Sequence, residues 1–158
     1  MKTKILTIAF VLAFTWGMAQ ETWVMDKDHT EIQFNVTHLV ISEVSGNFKE
    51  FDGKVLTNQE DFAGADIEFT ANVASIDTDN ERRDNHLKSE DFFAAEIYPH
   101  VKFAGKLFKN GENYRMQGDL TMRDVTSPVE FDVKYNGTVT DPWGNKKAGF
   151  KITGTVDR

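Results

Sequence analysis

Several residue types in this chain could support catalysis or metal binding, but their spacing favours neither. The four histidines, at positions 29, 38, 86 and 100, do not have the spacing of a zinc site. The chain has no cysteine, which removes thiolate ligands, Cys nucleophiles and disulfides together. It also lacks a recognisable serine nucleophile motif and a glycine-rich phosphate loop. We therefore expect a protein without catalytic residues, metal or resident cofactor, with a lipid-modifying enzyme using His38 or His86 as the alternative.

One charged cluster lies directly before an apolar one. Arg82-Arg83-Asp84 and His86 precede Leu87 and the pair Phe92-Phe93. A polar rim beside an apolar mouth would suit a site that admits an apolar ligand. The expected polar rim consists of Arg83, Asp84 and His86, together with His38. Arg83 and Asp84 are equally consistent with a local ion pair at the start of a helix.

The elements that would position these residues are mainly β-strands. Apolar and polar residues alternate with a period of two through most of the chain, which is typical of antiparallel strands with one buried face. About eight strands are expected, around Trp23, Phe34, Phe51–Leu56, Phe69, Phe103, Tyr114–Met122, Phe131 and Phe150. They form either a sandwich of two sheets or a barrel whose apolar face lines the inside.

Turn and helix signals complete this outline. Asn110-Gly111 predicts a tight hairpin, and Gly105, Gly118 and Gly154 within strand patterns predict bulges or sharp coiling. The one stretch long enough for a helix runs from about residue 80 to 88. Thr78 and Glu81 have the spacing of a capping box for it. This insertion, at about residues 80–93, would cover one end of a barrel.

The first 19 residues are predicted to be an export signal. Lys2 and Lys4 precede an apolar run from Ile5 to Trp16, and small residues follow, a pattern typical of a cleaved signal peptide. The mature domain is then 20–158, and we expect it to be periplasmic or secreted, with no stable membrane anchor after cleavage. Losing two lysines and no acids changes the net charge from −7 to −9. Such an acidic chain is a poor partner for nucleic acid.

The helical segment and its flanks carry a resemblance to a known family. Ser75-Ile76-Asp77-Thr78, then the run from Arg83 to Phe93, then Tyr98-Pro99-His100-Val101-Lys102-Phe103 resemble the YceI-like proteins. Agreement in order extends from Asp28-His29-Thr30 to Gly149-Phe150, and covers nearly all of residues 22–158. This resemblance implies an exported bacterial protein with a lipocalin-like antiparallel barrel, and some members of the family bind polyisoprenoid lipids.

Two positions depart from the family pattern. Asp124 replaces a usual glycine, so we expect a different backbone conformation in that turn. The chain stops at Val156-Asp157-Arg158, where the family continues into a further strand, so the sequence looks C-terminally truncated. The Phe150 strand would then present an open edge, and we expect poor solubility.

The apolar interior, taken with the lipid class that the resemblance implies, predicts a protein that binds, and could carry, a long apolar lipid of polyisoprenoid or isoprenoid-quinone type. An exported interaction module with a filled core is a third reading, and a dimer is left open. The expected apolar lining follows the inward strand positions and the helical insertion. It comprises Phe34, Val36, Phe48, Ile67, Phe69, Val73, Leu87, Phe92, Phe93, Val101, Phe103, Met116, Leu120, Phe131, Val133 and Phe150.

Overall fold

The computed structural model describes residues 20–38 and 41–157, and the predicted signal peptide at 1–19 lies outside them. Ten antiparallel strands, one short 3₁₀ helix and one α-helix make up this part of the chain. The strands are β1 (Glu21–Val24), β2 (Ile32–His38), β3 (Ser42–Phe48), β4 (Phe51–Thr57), β5 (Asp66–Asn72), β6 (Ile76–Asp77), β7 (His100–Asn110), β8 (Asn113–Met122), β9 (Val125–Thr140) and β10 (Lys146–Thr153). The 3₁₀ helix is Val73–Ser75, and α1 is Glu81–Lys88.

The strands form two sheets, which together make one curled wall. Seven strands follow the order β1-β4-β5-β7-β8-β9-β10, and three follow the order β2-β3-β6. The chain passes directly from β3 into β4, and from β5 through the 3₁₀ helix into β6. The small sheet therefore continues the large one around a corner. The result is a curled half-barrel, which confirms the predicted all-β, lipocalin-like fold and decides against a sandwich.

Two strands were not expected from the sequence. β3 reads Ser-Glu-Val-Ser-Gly-Asn-Phe and has too few apolar positions for a clear alternation, while β6 contains only two residues. Both strands form where the chain turns the corner between the sheets. The expected helix is present over Glu81–Lys88 and lies, as predicted, between the strand that contains Ile67 (β5) and the strand that contains Val101 (β7).

The outer face of the large sheet carries several ion pairs between neighbouring strands. Lys54 lies opposite Glu68, Asp66 opposite Lys106, and Arg115 opposite Asp132, and each pair is within ion-pair distance. Opposite charges in facing positions stabilise an antiparallel pair modestly. Because these charges take the outward positions, the apolar residues of the same strands face the inside of the curl.

The lower end of the interior is filled by an aromatic cluster around Phe62. This residue follows β4 in a short loop and is 2% exposed. Its ring lies 5.1 Å from Trp23, 5.1 Å from Phe150 and 5.8 Å from Tyr135. Phe103, Leu107, Tyr114, Met116 and Val133 are buried in the same cluster. Phe62 thus closes this end of the half-barrel.

The opposite end has a second, smaller core beneath the helical insertion. Val73, Ile76 and Val101 are buried there, and Leu87, Phe93 and Ala95 pack against them from α1 and the segment after it. Burying these apolar side chains contributes on the order of 1.5–3 kcal/mol each. The insertion is therefore held in place mainly by its apolar face, and it covers this end as predicted.

Candidate functional site

The middle of the inner face is apolar but only half-buried. We call this region the inner band: Phe34, Phe48, Ile67, Phe69, Leu120, Val129 and Phe131. Leu120 packs against both buried clusters, and so links the two filled ends. Phe34 lies 5.7 Å from Phe48, and Phe131 lies 6.0 Å from Phe103. These side chains keep part of their apolar surface in contact with solvent.

The predicted lining residues divide into three groups. Val73, Val101, Phe103, Met116 and Val133 are buried in the two clusters and serve as core. Val36 is 54% exposed on the β2–β3 hairpin, so it does not lie in the interior. The half-buried group contains Phe34, Phe48, Ile67, Phe69, Leu87, Phe92, Phe93, Leu120, Phe131 and Phe150.

Helix α1 begins differently from the predicted capping box. Asn80 is the N-cap, and its side-chain oxygen accepts a hydrogen bond from the Arg83 backbone N–H at 3.0 Å. Asn is among the best N-cap residues, because its short side chain reaches the free N–H groups of the first turn. The expectation of Thr78 as the cap was wrong, since Thr78 has a different partner.

Thr78 is the centre of a buried polar cluster with Asp84 and Arg83. Its backbone N–H and its hydroxyl both donate to Oδ1 of Asp84, at 3.0 and 2.6 Å. Nε of Arg83 donates to the Thr78 hydroxyl at 2.7 Å, and Nη2 of Arg83 donates to the Thr78 carbonyl at 2.6 Å. Asp84 is 9% exposed, which places it beneath the helix rather than on an exposed rim. Arg83 and Asp84 share Thr78 and, within the described residues, form no ion pair with each other.

Of the other two predicted rim residues, His86 lies outside this cluster. The His86 ring is exposed, its Nε2 lies 3.5 Å from Oδ2 of Asp91, and it packs edge-on against Phe92 at 4.8 Å. His38 ends β2, and its side chain lies outside what the structure describes. Of the three rim residues whose side chains are described, only Arg83 and Asp84 are therefore brought together.

Arg123 was missed by the sequence reading and ties the helical insertion to the strands. It lies in the β8–β9 turn with φ +57°, and its Nη1 donates to the Phe92 carbonyl at 3.1 Å. Its guanidinium also lies 5.6 Å from the centre of the Tyr98 ring. The departure at Asp124 pointed to an unusual conformation in this turn, and the left-handed residue is its neighbour Arg123.

Two surface hollows lie outside the inner band. One, of about 650 Å³, lies on the outer face of β7–β9 and includes Phe108, Gln117 and Pro128. The other, of about 710 Å³, is lined by Asn80, Arg82, Arg83 and His86 on α1. The inner band contributes only Val129 to the first and nothing to the second. The candidate apolar site is the inner band, which is defined by its half-buried apolar side chains and not by a hollow.

Ionisable groups with clear pKa shifts lie mostly in surface ion pairs. Hydrogen bonds from Lys147 and His29 lower the pKa of Asp26, and a hydrogen bond from Lys109 lowers that of Asp61. Burial raises the pKa of Tyr114, whose hydroxyl donates to the Asp61 carbonyl. The two carboxylates are therefore stabilised in their charged form, and the Tyr114 hydroxyl is stabilised in its protonated form. None of them belongs to the inner band.

Neither a candidate metal site nor a membrane-spanning helix lies within the described residues. Residues 20–38 and 41–157 contain no group of three or more His, Asp or Glu side chains placed to hold a metal ion. In the same ranges, no helix has the length and apolar character needed to cross a membrane.

A model of the YceI-like domain matches residues 23–158. The chain belongs to the YceI-like family. Protein YceI from Escherichia coli is 36% identical over 161 residues, which covers 99% of this chain and 84% of that protein. The UPF0312 protein plu2095 from Photorhabdus laumondii is 40% identical over 129 residues, which covers 81% of this chain and 67% of that protein.

Solved structures agree with the fold. The Campylobacter jejuni YceI protein superimposes with a TM-score of 0.67 at 35% identity, covering 84% of this chain and 78% of that one. BcnA from Burkholderia cenocepacia has a TM-score of 0.66 at 22% identity and supports the fold alone. The motif from Arg83 to Phe93, which suggested the family from sequence, forms α1 and the segment that follows it.

Proposed function

We propose that this YceI-like protein binds one long apolar lipid, of polyisoprenoid or isoprenoid-quinone type, along the inner band. One observation carries the proposal: apolar side chains in the middle of the curl remain half-buried while both ends are filled. Apolar surface left in water costs about 25 cal/mol per Å² relative to burial. A ligand that covers the inner band recovers this free energy.

The chemistry of the inner band favours a ligand with a long hydrocarbon chain. Its members are Phe, Ile, Leu and Val, and none of them is ionisable. Each CH₂ group that leaves water contributes about 0.8 kcal/mol before ordering costs. A flexible chain can therefore bind tightly with few polar contacts, whereas a small polar metabolite would find no partners there.

The polar end of such a lipid would face the helical insertion. Arg82 and His86 are exposed on α1, while Leu87 on the same helix packs against the smaller core of Val73, Ile76 and Val101. The helix thus presents charge to solvent and apolar surface to the interior. This arrangement suits a ligand whose head stays in water while its tail lies in the curl.

The location of the protein in the cell is inferred from its N-terminal sequence. Because residues 1–19 have the pattern of a cleaved signal peptide, we propose that the mature protein works in the periplasm or outside the cell. There it would bind, and could carry, a lipid that water does not dissolve. No observation favours catalysis on this lipid, so we propose a binding protein.

Native mass spectrometry of the purified protein with added polyisoprenol or isoprenoid quinone tests the proposal. We expect a one-to-one complex that the Phe69→Ser substitution weakens at least 10-fold. Phe108→Ser is the matched control, because Phe108 lies on the outer face and is 45% exposed. A protein that ignores both lipids, or equal losses in the two variants, would rule out binding at the inner band.

A further inference from the structure

The helical insertion, residues 80–93, has a single left-handed residue at each end. Asp79 precedes it with φ +57°, and Ala94 follows it with φ +47°. Residues with a Cβ disfavour this region, and alanine has no polar side chain to compensate locally. Ala94 nevertheless adopts it, and is 2% exposed. Strained residues often lie at moving segments, and hinges commonly lie at the ends of elements.

The start of the insertion is fixed to the strand before it. The hydrogen bonds among Thr78, Arg83 and Asp84 join the first turn of α1 to the residue that follows β6. Asp84 is buried, and a buried polar group that loses its partner is costly. A movement of the insertion would therefore keep these bonds and pivot about them.

The far end of the insertion is held by an exposed residue. Nη1 of Arg123, in the turn between β8 and β9, donates to the carbonyl oxygens of Phe92 at 3.1 Å and Glu90 at 3.4 Å. The Arg123 guanidinium also lies 5.6 Å from the centre of the Tyr98 ring. Exposed contacts of this kind are weak, because water competes for both partners. The far end is therefore easier to release than the start.

The insertion covers one end of the inner band. Leu87 and Phe93 pack against the smaller core, and Phe34, Phe48 and Leu120 of the inner band pack against the same core. Leu87 and Phe93 are only half-buried, so moving them exposes less apolar surface than moving fully buried side chains would. An outward swing of the insertion would uncover this end of the inner band.

Internal hydrogen bonds allow the insertion to move as one piece. The Phe93 backbone N–H donates to the Leu87 carbonyl at 3.0 Å, and this bond holds the segment after α1 against the helix. The Ala95 N–H, beyond the left-handed Ala94, donates to the Lys88 carbonyl at 2.9 Å. This second bond crosses Ala94, so it must break when the insertion turns there. Exchange of the Ala95 amide therefore reports opening.

We propose that the helical insertion is a lid over the inner band, with a pivot at Thr78, a hinge at Ala94 and a latch formed by Arg123. Release of the latch admits the apolar lipid and lets it leave. The purpose of the lid rests on the lipid binding proposed above. Its movement does not, because amide exchange measures the movement without a ligand.

Amide hydrogen exchange followed by NMR, on the full chain without lipid, tests the latch. We expect Arg123→Ala to speed exchange of the Ala95 amide at least 10-fold, while the Phe103 amide on the central strand β7 keeps its rate. Arg82→Ala is the matched control, because it removes the same charge from an exposed position on the insertion itself. It should leave both rates unchanged.

Stopped-flow mixing with a fluorescently labelled polyprenol tests the role of the lid in binding. We expect Arg123→Ala to raise the association and dissociation rates at least 10-fold each, so that the Kd changes less than either rate. Arg82→Ala should bind as the unmodified chain does. A variant that altered the lipid contacts themselves would change the Kd instead.

Each contrary result has a distinct meaning. An unchanged Ala95 amide in Arg123→Ala, or an equal acceleration at Phe103, would overturn the lid, because the latch would then hold nothing or hold the whole fold. Faster Ala95 exchange with unchanged lipid rates would overturn its role in lipid entry. A chain that binds no polyprenol would refute the lipid proposal and that role together, and the exchange rates would still decide whether the lid moves.

Discussion

Asp26 and Lys147 join the two edges of the curled sheet across 121 residues of sequence. Nζ of Lys147, on β10, donates to Oδ2 of Asp26, just after β1, at 2.7 Å. β1 and β10 are the first and last strands of the seven-strand order. The contact therefore shows how far the sheet curls: its edges approach within the length of two side chains without forming a backbone ladder in the described residues.

Removing this contact should change the titration of Asp26. The Lys147 hydrogen bond is the largest cause of the lowered pKa of Asp26, and the His29 hydrogen bond is the second. The pair stabilises the fold fully above the ordinary carboxyl pKa, and this contribution is lost as the pH falls through the lowered pKa. We expect Lys147→Ala to raise the Asp26 pKa towards its ordinary value, measured by NMR of the carboxyl carbon. Lys102→Ala should leave it in place, and an unchanged Asp26 in Lys147→Ala would contradict the contact.

Phe62 should dominate the stability of the lower end. It is almost fully buried between Trp23, Tyr135 and Phe150, so truncation leaves a large cavity. We expect Phe62→Ala to lower the free energy of unfolding by about 3–5 kcal/mol. Urea denaturation measures this change, with the exposed Phe108→Ala as the control at below about 1 kcal/mol. Similar losses in the two variants would show that Phe62 does not close the interior.

A side chain at Gly105 or Gly118 should destabilise the fold. These residues face each other on β7 and β8, and a Cβ added at Gly105 would lie 2.4 Å from the Gln117 carbonyl oxygen and 2.6 Å from the Phe103 ring. We expect Gly105→Ala to cost about 1–3 kcal/mol of stability. Gly149→Ala is the control, because its closest contact would be an ordinary 3.4 Å. Equal melting temperatures for the two variants would argue against the close approach.

Thr78 should matter more than a surface threonine. Thr78→Val removes the hydroxyl that donates to buried Asp84 and accepts from Nε of Arg83. Leaving a buried group without its partner costs about 1–3 kcal/mol. Thermal denaturation compares this variant with Thr140→Val, an exposed β9 position where we expect a change below about 0.5 kcal/mol. A neutral Thr78→Val would mean that water replaces the hydroxyl freely.

Local patterns predicted most of the strands and the helix, because period-two alternation reports which face is buried. The sequence could not show that β3 and β6 pair around a corner, since neither carries a clear alternation. Gly105 and Gly118 were expected to allow bulges or sharp coiling, and they pair in continuous register beneath the Phe103 ring, without a bulge. The register shift that does occur lies between Gly149 and Phe150.

The candidate site was harder to predict than the fold. Alternation identified the inward residues, but it cannot separate Phe103 and Met116, which the core buries, from Phe69 and Leu120, which stay half-exposed. That difference depends on long-range packing around Phe62. Because Phe62 lies in a loop, the alternation of apolar and polar residues could not predict its burial. Asp84 was likewise assigned to the rim because it is charged, although Thr78 satisfies its carboxylate beneath the helix.

Photo-crosslinking with a diazirine-bearing isoprenoid, mapped by peptide mass spectrometry, tests the central claim most directly. If a long apolar lipid lies along the inner band, labels should concentrate on Phe34, Phe69, Leu120 and Phe131, and unlabelled polyisoprenol should compete them away. Labels on Phe108 or on the outer hollow of β7–β9, or labelling that competitor does not reduce, would contradict binding inside the curl.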